Sequence, residues 1–314
     1  MGHGIFGTNL KDNKSAFYRI IQPLRFLKRS GWIARTVPFT GEESISVLPV
    51  HDELLMRLSE DCDFILTVAI NEEKELLRMM NLRKARNAKW IVDLSENFHA
   101  DEMLQAYLIN IERSLKLADG VAVSNKQLEK LAKIYNDNVY VLPSALDFNL
   151  WNRPVHVARG NFRIGYKGNK MDLEKVAPTF GEISQRHKVE FVPIYYEGII
   201  GLWKNMADLR LGMAVMPLED SGYNRYRDNI DLLELMALKV PLVASPVEAY
   251  KGLPILYANN NYEWFECISK VLENKRFRED LRETEHKFVH NNFDMKKLIS
   301  PFMHWLKNIE RKDY

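Results

Sequence analysis

The sequence predicts an α/β protein with two domains, each built on a parallel sheet. Short apolar, β-branched runs alternate with longer amphipathic stretches, a pattern typical of strands joined by crossover helices. The rhythm breaks at Asp147–Arg163, where a proline, a glycine and several charges follow no period, and it restarts afterwards. Because a chain of 314 residues has room for two domains of ordinary size, we expect the interdomain linker in this stretch.

The strands are predicted where the apolar runs are short and continuous, as in sheets that are covered on both faces. These runs are Gly4–Gly7, Phe64–Ala69, Trp90–Leu94, Gly120–Val123, Val139–Leu142, Arg163–Gly165, Glu190–Pro193, Leu211–Met216 and Pro241–Ala244. The helices are predicted to begin near Ala16, Asp52, Glu72, Asp101, Asn125, Leu173, Gly201, Asp228, Asn261 and Lys275. Parallel sheets of this kind bind ligands at the carboxyl ends of their strands.

The composition is that of an ordinary globular protein, with 46% apolar and 27% charged residues. The formal net charge of +2 excludes a molecule that is built as a whole to bind polyanions. Cys62 and Cys267 lie far apart and form neither a disulfide framework nor a zinc-site spacing, which fits a reducing compartment. The N-terminus lacks a signal-peptide pattern, and no window approaches the ~18 apolar residues of a membrane span. We therefore expect a cytoplasmic enzyme without a membrane span.

Three stretches carry motifs: SAFYRIIQPLRFLKRSGW near the N-terminus, Ala118–Trp151, and Leu211–Tyr250 with RIGYKGN ahead of it. Together and in this order they resemble the GT-B glycosyltransferases, close to family 4, in their short phage and bacterial form. The resemblance implies two Rossmann-like domains that face each other across a cleft. Residues 1–152 would bind the acceptor, residues 153–290 would bind the nucleotide-sugar, and residues 291–314 would form a helix that crosses back to the N-terminal domain. It also implies the cytoplasm of a bacterium or of a phage-infected host.

Several positions depart from the family's pattern. Ser144 stands where an asparagine is frequent, Asp228 where a serine is common, and Asp231 where a lysine is common. The turn after the first strand of the donor domain is reduced to Gly168-Asn169-Lys170-Met171. These departures concern the contacts to the donor phosphates rather than the fold.

The donor site is expected in the second domain, where Glu234 lies among the apolar residues of IDLLELMAL. A carboxylate seldom enters such a setting without a partner. The resemblance implies that Glu234 accepts hydrogen bonds from the ribose hydroxyls, and the alternative is a solvated residue or an internal salt bridge. Asp228 is a good N-cap, so the loop Gly222–Arg227 before it should face the positive end of a helix, which is a ready diphosphate site. The predicted donor-binding residues are Gly165, Lys167, Gly168, Lys170, Tyr223, Asn224, Arg225, Arg227 and Glu234; the alternative for the basic ones is solvated loops.

The N-terminal domain carries the acceptor-side candidates. Asp93, Glu96 and His99 follow a buried strand, where catalytic side chains of open sheets are found. One of them would orient the acceptor hydroxyl or hold its proton, and the alternative is that Asp93 and Ser95 cap the next helix. The acceptor-binding candidates follow the first strand and are expected over the scissile bond: Asn9, Ser15, Tyr18 and Arg19.

The segment Asp61-Cys62-Asp63 has the DxD pattern of the metal-dependent glycosyltransferases of another fold. It precedes a strand, whereas the metal carboxylates of those enzymes follow one, and nothing else clusters as a hard-cation site. We expect no required metal and no cofactor beyond the donor, a UDP- or GDP-sugar. The helix end and the basic residues would then stabilise the charge of the diphosphate.

The resemblance implies transfer of a sugar from a nucleoside diphosphate sugar to an acceptor hydroxyl, with retention at the anomeric carbon. Two basic runs, Lys11–Arg35 and Lys74–Lys89, would suit a DNA acceptor with a flipped hydroxymethylated pyrimidine, or an anionic lipid. The alternatives are solvated helix faces and a glycan or lipid-carrier acceptor. A sugar-nucleotide 2-epimerase and a non-catalytic nucleotide-sugar binder are the competing classes, although the donor domain lacks a recognisable His/Glu set for epimerisation.

Overall fold

The structure, a computed structural model, describes residues 3–8, 17–36, 56, 59–95, 97–99, 108–151, 161–195 and 202–312. The chain forms two units. The first comprises Met1–Ser144, Tyr226–Asp228 and Met295–Tyr314, and the second comprises Ala145–Arg225 and Asn229–Asp294. The chain therefore enters the second unit after Ser144, just ahead of the aperiodic stretch that begins at Asp147.

The first unit is built on a six-stranded sheet. Its strands are β1 (Gly4–Thr8), β2 (Ile33–Thr36), β3 (Phe64–Val68), β4 (Lys89–Leu94), β5 (Gly120–Val123) and β6 (Val139–Val141). They lie in the order β2-β1-β3-β4-β5-β6, and every pair is parallel. Ile65, Val92 and Val121 of the central strands have no exposed surface. Helices cover the sheet, and strands that are covered in this way have apolar sequences.

The helices of the first unit follow the strands in the βα rhythm. A π-helical turn, Phe17–Ile21, leads into α1 (Gln22–Arg29), and it is followed by α2 (Glu73–Arg86), α3 (Leu108–Leu117) and α4 (Lys126–Ala132). Asn87 ends α2 in the left-handed conformation with a φ of 52°, which an asparagine adopts more readily than most residues. Asn125 caps the start of α4 through its side chain.

The second unit contains a five-stranded parallel sheet. Its strands are β7 (Phe162–Tyr166), β8 (Val189–Pro193), β9 (Met213–Met216), β10 (Leu242–Ala244) and β11 (Leu256–Tyr257), in the order β11-β10-β9-β7-β8. From β7 the chain goes to β8 on one side and then crosses back to β9 on the other. The switch point of the sheet, where open α/β sheets bind ligands, therefore lies between the carboxyl ends of β7 and β9.

Helices cover the second sheet as well. They are α5 (Phe148–Trp151), α6 (Lys170–Arg186), α7 (Leu202–Asp208), α8 (Ile230–Ala237), α9 (Asn261–Glu273) and α10 (Lys275–Asn292). A capping box starts α6: the Asn169 side chain accepts from the Asp172 N–H at 2.8 Å, and Asp172 accepts from the Asn169 N–H at 3.3 Å. Helix α9 packs on α6 and α10 packs on α8.

The last helix, α11 (Met295–Asn308), belongs to the first unit. Trp305 stacks on Tyr140 of β6, with ring centroids 5.1 Å apart, and its indole N–H donates to Asn138 Oδ1 at 2.9 Å. A Cβ on Gly120 of β5 would lie 2.8 Å from the Trp305 ring, so the close approach requires glycine there.

The predicted strands are all present, and the α/β class with two parallel sheets is confirmed. Two strands were missed, β2 and β11, and both are edge strands. β2 is half polar and exposes Ile33, and β11 has only two residues, so neither carries the buried apolar run on which the prediction depended. The helix starts predicted at Ala16, Asp52, Asp101 and Gly201 lie outside the described residues. Among the described helices, none has the length and apolar character needed to cross a membrane.

Glu285 of α10 is a carboxyl group inside the second unit. It has no exposed surface, and Oε1 accepts from the Leu242 N–H of β10 at 3.1 Å. Oε2 has no hydrogen-bond partner among the described residues. Burial raises the pKa of Glu285 well above its ordinary value, and the bond from Leu242 opposes this only in part.

This raised pKa predicts a pH-dependent gain for Glu285→Gln. In the folded wild type Glu285 is accommodated in its protonated form. The stability that this form contributes is lost as pH rises from the pKa of Glu285 in the unfolded state through its pKa in the folded state. The variant cannot ionise, so its free energy of unfolding should gain on the wild type as pH rises, by at most about 1.4 kcal/mol per pH unit. The unpaired amide NH₂ adds an offset that does not vary with pH.

Urea unfolding at several pH values checks this slope, and Glu283→Gln is the matched control on the same helix. Glu283 is exposed, and the hydrogen bond from Lys239 lowers the pKa of its carboxyl. The free energy of unfolding of this variant should therefore fall relative to the wild type as pH rises. Equal slopes for the two variants would contradict the assignment of Glu285 as a buried acid.

Candidate functional site

Lys167 and Asp231 form an ion pair at the carboxyl end of β7. Lys167 Nζ lies 2.8 Å from Asp231 Oδ1, and the side chains are 23% and 9% exposed. The Lys167 backbone N–H donates to the Val215 carbonyl of β9 at 3.2 Å, which holds the residue at the switch point of the sheet. A cation is therefore fixed at the edge where this type of sheet binds its ligands.

Glu234 lies in α8, less than one turn after Asp231, and it has no exposed surface. All eight residues of α8 are buried, so the helix is a core element of the second unit. A spacing of three puts Asp231 and Glu234 on the same side of the helix. The helix therefore carries two carboxylates on one side near its start, and the first of them is paired with Lys167.

The start of α8 corrects the prediction for Asp228. The helix begins at Ile230, and its N-cap is Asn229, whose side chain makes no cap hydrogen bond. Asp228 Oδ2 instead accepts a hydrogen bond from Ser144 Oγ at 2.8 Å. Because Ser144 is distant in sequence, the local pattern could not show that it competes for this carboxylate.

The loop before α8 is held by its own hydrogen bonds. Asn224 is buried; its N–H donates to Ser221 Oγ at 3.1 Å and its Nδ2 to the Glu219 carbonyl at 2.9 Å. Arg225 forms a bidentate pair with Asp220, at 2.9 and 3.1 Å, and both side chains are exposed. Because both side chains are exposed, solvent screens the pair, and a phosphate can replace Asp220 at small cost. Tyr223 and Arg227 are half-buried.

The three other predicted donor residues lie in β7, in the turn after it and at the start of α6. A Cβ on Gly165 would lie 2.5 Å from Leu211 Cδ1, so packing inside the unit explains this glycine. A Cβ on Gly168 would lie 3.2 Å from the Pro217 carbonyl oxygen, which allows the close approach of the β7 and β9 loops. Lys170 is 89% exposed, with Glu174 3.9 Å away.

A polar cavity of about 300 Å³ opens near the carboxyl ends of β9 and β10. Asp172 and Lys175 of α6 line it on one side, and Ser245 and Trp264 line it on the other. Glu219 also lines it and is paired with Lys175 at 3.0 Å. The lining shares no residue with the predicted donor set.

In the first unit, Arg19 and Asp93 bind each other in the core. They are 1% and 2% exposed; Arg19 Nη2 lies 2.6 Å from Asp93 Oδ2, and Nε lies 3.1 Å from Oδ1. Arg19 Nη1 donates to the Leu142 carbonyl after β6. Burial raises the pKa of Asp93, the Arg19 cation opposes this, and the Asp228 carboxylate raises it further. The structure thus places a predicted acceptor-binding residue and a predicted catalytic residue in one internal ion pair.

The remaining acceptor-side candidates are dispersed. Tyr18 is 1% exposed and packs edge-to-face on Phe17. Asn9, Ser15 and Glu96 lie outside the described residues.

His99 is exposed and is joined to the helical layer of the first unit. Its Nε2 lies 2.9 Å from the Tyr135 hydroxyl, which donates to Glu112 Oε1 at 3.1 Å. Because the hydroxyl has one proton and gives it to Glu112, His99 Nε2 carries the hydrogen of the other bond. Burial, together with the bond to Glu112, raises the pKa of Tyr135 to about 12.

A DNA acceptor would need an open cationic face, and some residues of the two basic runs are buried and do not contribute to one. Arg19 is enclosed with Asp93, and Arg83 is 7% exposed, with Nη2 2.7 Å from Asp119 Oδ1. Arg83 also donates to the Lys312 carbonyl at 2.6 Å, and Arg86 donates to Ser59 Oγ at 3.2 Å. Lys11 and Lys14 lie outside the described residues. Arg19 and Arg83 therefore serve the packing of the first unit, whereas other residues of these runs are exposed: Arg25, Lys28, Arg29, Lys74 and Lys84.

No group of three or more His, Cys, Asp or Glu side chains within the described ranges could hold a metal ion. The DxD-like segment lies before β3, and Asp63 Oδ2 accepts from the Gly4 N–H at 2.9 Å.

No protein-family model and no curated protein sequence matches this chain. Solved structures do match over its length. Anabaena HepE in complex with UDP and glucose superposes with a TM-score of 0.65 at 12% identity and covers 97% of this chain and 99% of its own. The fold is that of the GT-B glycosyltransferases. Trehalose-6-phosphate synthase OtsA matches with a TM-score of 0.57 at 13% identity, over 82% of this chain and 75% of its own.

An enzyme of another class shares this fold. The UDP-GlcNAc 2-epimerase of Neisseria meningitidis, bound to UDP-GlcNAc, matches with a TM-score of 0.56 at 9% identity, over 98% of this chain and 100% of its own. At these identities the matches establish the fold of two Rossmann-like units, and the site itself must decide the function.

The burial of the Arg19–Asp93 pair predicts that Asp93→Asn is a stability variant. It leaves Arg19 as an uncompensated buried charge, which costs about 3–5 kcal/mol in the free energy of unfolding. Replacing both partners, as in Arg19→Met with Asp93→Leu, should recover most of that loss, because apolar residues of similar volume need no pairing. Urea unfolding measures both variants. A fully stable Asp93→Asn that has lost activity would show instead that Asp93 acts on the substrate.

Proposed function

We propose that the chain is a glycosyltransferase that takes its sugar from a UDP-sugar. The observation that carries the proposal is the Lys167–Asp231 pair at the switch point of the second sheet, with Glu234 on the same side of α8. The fold supports it, because HepE with this fold holds UDP and glucose. A fixed cation and a helix carboxylate are the groups that a diphosphate and a ribose diol need.

The donor would bind by exchanging partners at these residues. Lys167 would turn from Asp231 to the diphosphate, and Arg225 would turn from Asp220, so two cations would face the group that leaves with negative charge. Glu234 would accept hydrogen bonds from the ribose hydroxyls. Because Glu234 is covered in the structure, the nucleotide has to replace the contacts that now enclose it.

The chemical step would be attack of an acceptor hydroxyl on the anomeric carbon as the bond to the diphosphate breaks. Lys167 and Arg225 stabilise the charge that develops on the leaving oxygen, and the hydroxyl proton passes to that diphosphate. Attack on the same face as the leaving group would give retention without an enzymic nucleophile. Exclusion of water protects the donor from hydrolysis.

For the acceptor we propose a hydroxyl of a glycan or lipid carrier. A hydroxymethylated pyrimidine in DNA is the less favoured class, because Arg19 and Arg83 are consumed by internal ion pairs.

A sugar-nucleotide 2-epimerase is the second candidate, since the Neisseria epimerase matches nearly the whole chain. Epimerisation needs side chains that remove and return a proton on the sugar. Incubation with UDP-GlcNAc and no acceptor separates the two functions: an epimerase forms the 2-epimer, whereas a transferase releases UDP slowly to water.

The donor proposal predicts that Glu234→Ala weakens UDP binding by about 1.5–3 kcal/mol, the range for a hydrogen bond to a charged group, which is roughly 10- to 150-fold in Kd. Titration calorimetry measures the affinity, and circular dichroism checks the fold. Glu182→Gln is the control, because that carboxylate is exposed on α6 and is paired with Arg186 of the same helix. Unchanged affinity in Glu234→Ala would remove Glu234 from the donor site.

The electrostatic role of Lys167 predicts that turnover survives chelation. Release of UDP from the cognate UDP-sugar should be the same with and without EDTA, and Lys167→Met should lower it by about 10²–10³-fold, as removal of one transition-state donor does. Activity that vanishes in EDTA and returns with Mg²⁺ or Mn²⁺ would show that a metal, and not the lysine, neutralises the diphosphate.

A further inference from the structure

Asn125 uses the two ends of its side-chain amide for two different tasks. Oδ1 accepts from the N–H groups of Gln127 (3.0 Å) and Leu128 (2.9 Å), which caps α4. Nδ2 donates to the carbonyls of Tyr226 (2.9 Å) and Arg227 (3.4 Å). The orientation of the amide follows from its partners, because an oxygen must face the N–H groups and an NH₂ must face the carbonyls.

The segment that Asn125 holds, Tyr226–Asp228, belongs to the first unit, although the residues on either side of it belong to the second. The Tyr226 ring packs against the core of the first unit. Asp228 accepts from Ser144 at 2.8 Å. Each of the three residues therefore has an anchor of its own in the first unit: a core contact, the amide of Asn125, or the hydroxyl of Ser144.

This segment leads directly into α8. Asn229 is the N-cap of that helix, and its own side chain makes no cap bond. Asp231 and Glu234 follow within the next turns. The contacts of Asn125 and Ser144 with Tyr226–Asp228 therefore hold the backbone immediately before these carboxylates.

We propose that Asn125 is a positioning residue for donor binding: its NH₂ holds the Tyr226–Arg227 backbone and thereby sets the start of α8. The inference rests on the proposed function, since it is the UDP-sugar that α8 would bind. It also explains why the residue is an asparagine. Aspartate or serine would cap α4 equally well, but neither carries an amide NH₂ that can donate to the loop carbonyls.

The test therefore compares Asn125→Asp and Asn125→Ser with the wild type. Both keep the cap of α4. The aspartate sets a carboxylate against two carbonyl oxygens, and the serine leaves those carbonyls without the amide. We expect UDP to bind about five- to a hundredfold more weakly to either variant, with the larger loss for aspartate. Asn274→Ser is the matched control, because Asn274 caps α10 by accepting from the Phe277 N–H at 2.9 Å. Its UDP affinity should equal that of the wild type.

Hydrogen–deuterium exchange supplies a readout that does not need the donor. The peptide that spans Tyr226–Ile230 should exchange faster in both Asn125 variants and at the wild-type rate in Asn274→Ser. Unchanged exchange, or faster exchange with wild-type UDP affinity, would overturn the positioning role. If the wild type itself does not bind UDP, the proposed function fails and the inference fails with it. In that case the exchange data still report whether Asn125 holds the loop.

Discussion

The guanidinium of Arg19 is enclosed in the first unit between the Asp93 carboxylate of β4 and the Leu142 carbonyl after β6. A buried charge is tolerated only when its hydrogen bonds are made, so this ion pair constrains the chain after β1 and the carboxyl ends of two strands together. It also decides what the neighbouring residues can do. Asp93 stands where a catalytic carboxylate of an open sheet would stand, but its oxygens are already engaged by Arg19.

The positions that depart from the pattern of the resembled family are bound to polar partners in the structure. Ser144 and Asp228, which both differ from the common residues, bind each other. Asp231 replaces a common lysine, and a lysine from the β7 turn, Lys167, is bound to it. In each case the polar residue at the departing position binds a polar partner within its own unit. Compensation of this kind leaves weak traces in sequence, because each partner is judged against a pattern that assumes the other is unchanged.

The fold could be predicted because its signal is local. Buried parallel strands read as apolar runs, and only the edge strands Ile33–Thr36 and Leu256–Tyr257 lacked that signal. The candidate site was less accessible, because its contacts join residues that are remote in sequence. Asp228 is a residue type that often caps helices, but it accepts a hydrogen bond from Ser144. Arg19 is a residue type that often binds anionic ligands, but it is paired with Asp93. The sequence around Asn125 can indicate its role as a helix cap. Its second role, as a donor to the Tyr226 carbonyl, cannot be read locally, because that residue lies 101 positions further along the chain.

The Lys167–Asp231 pair has a consequence for how a diphosphate would be received. An isolated ammonium at 23% exposure would lose hydration and gain no partner, whereas Lys167 Nζ has Asp231 Oδ1 at 2.8 Å. In the proposed donor complex one anionic partner of the lysine would replace another, so no cation would have to be newly desolvated. The carboxylate that is released sits in the first turn of α8, where the N–H groups of the helix stabilise negative charge. The acidic residue in place of the common lysine is thus compatible with a diphosphate site, provided that the cation comes from the β7 turn.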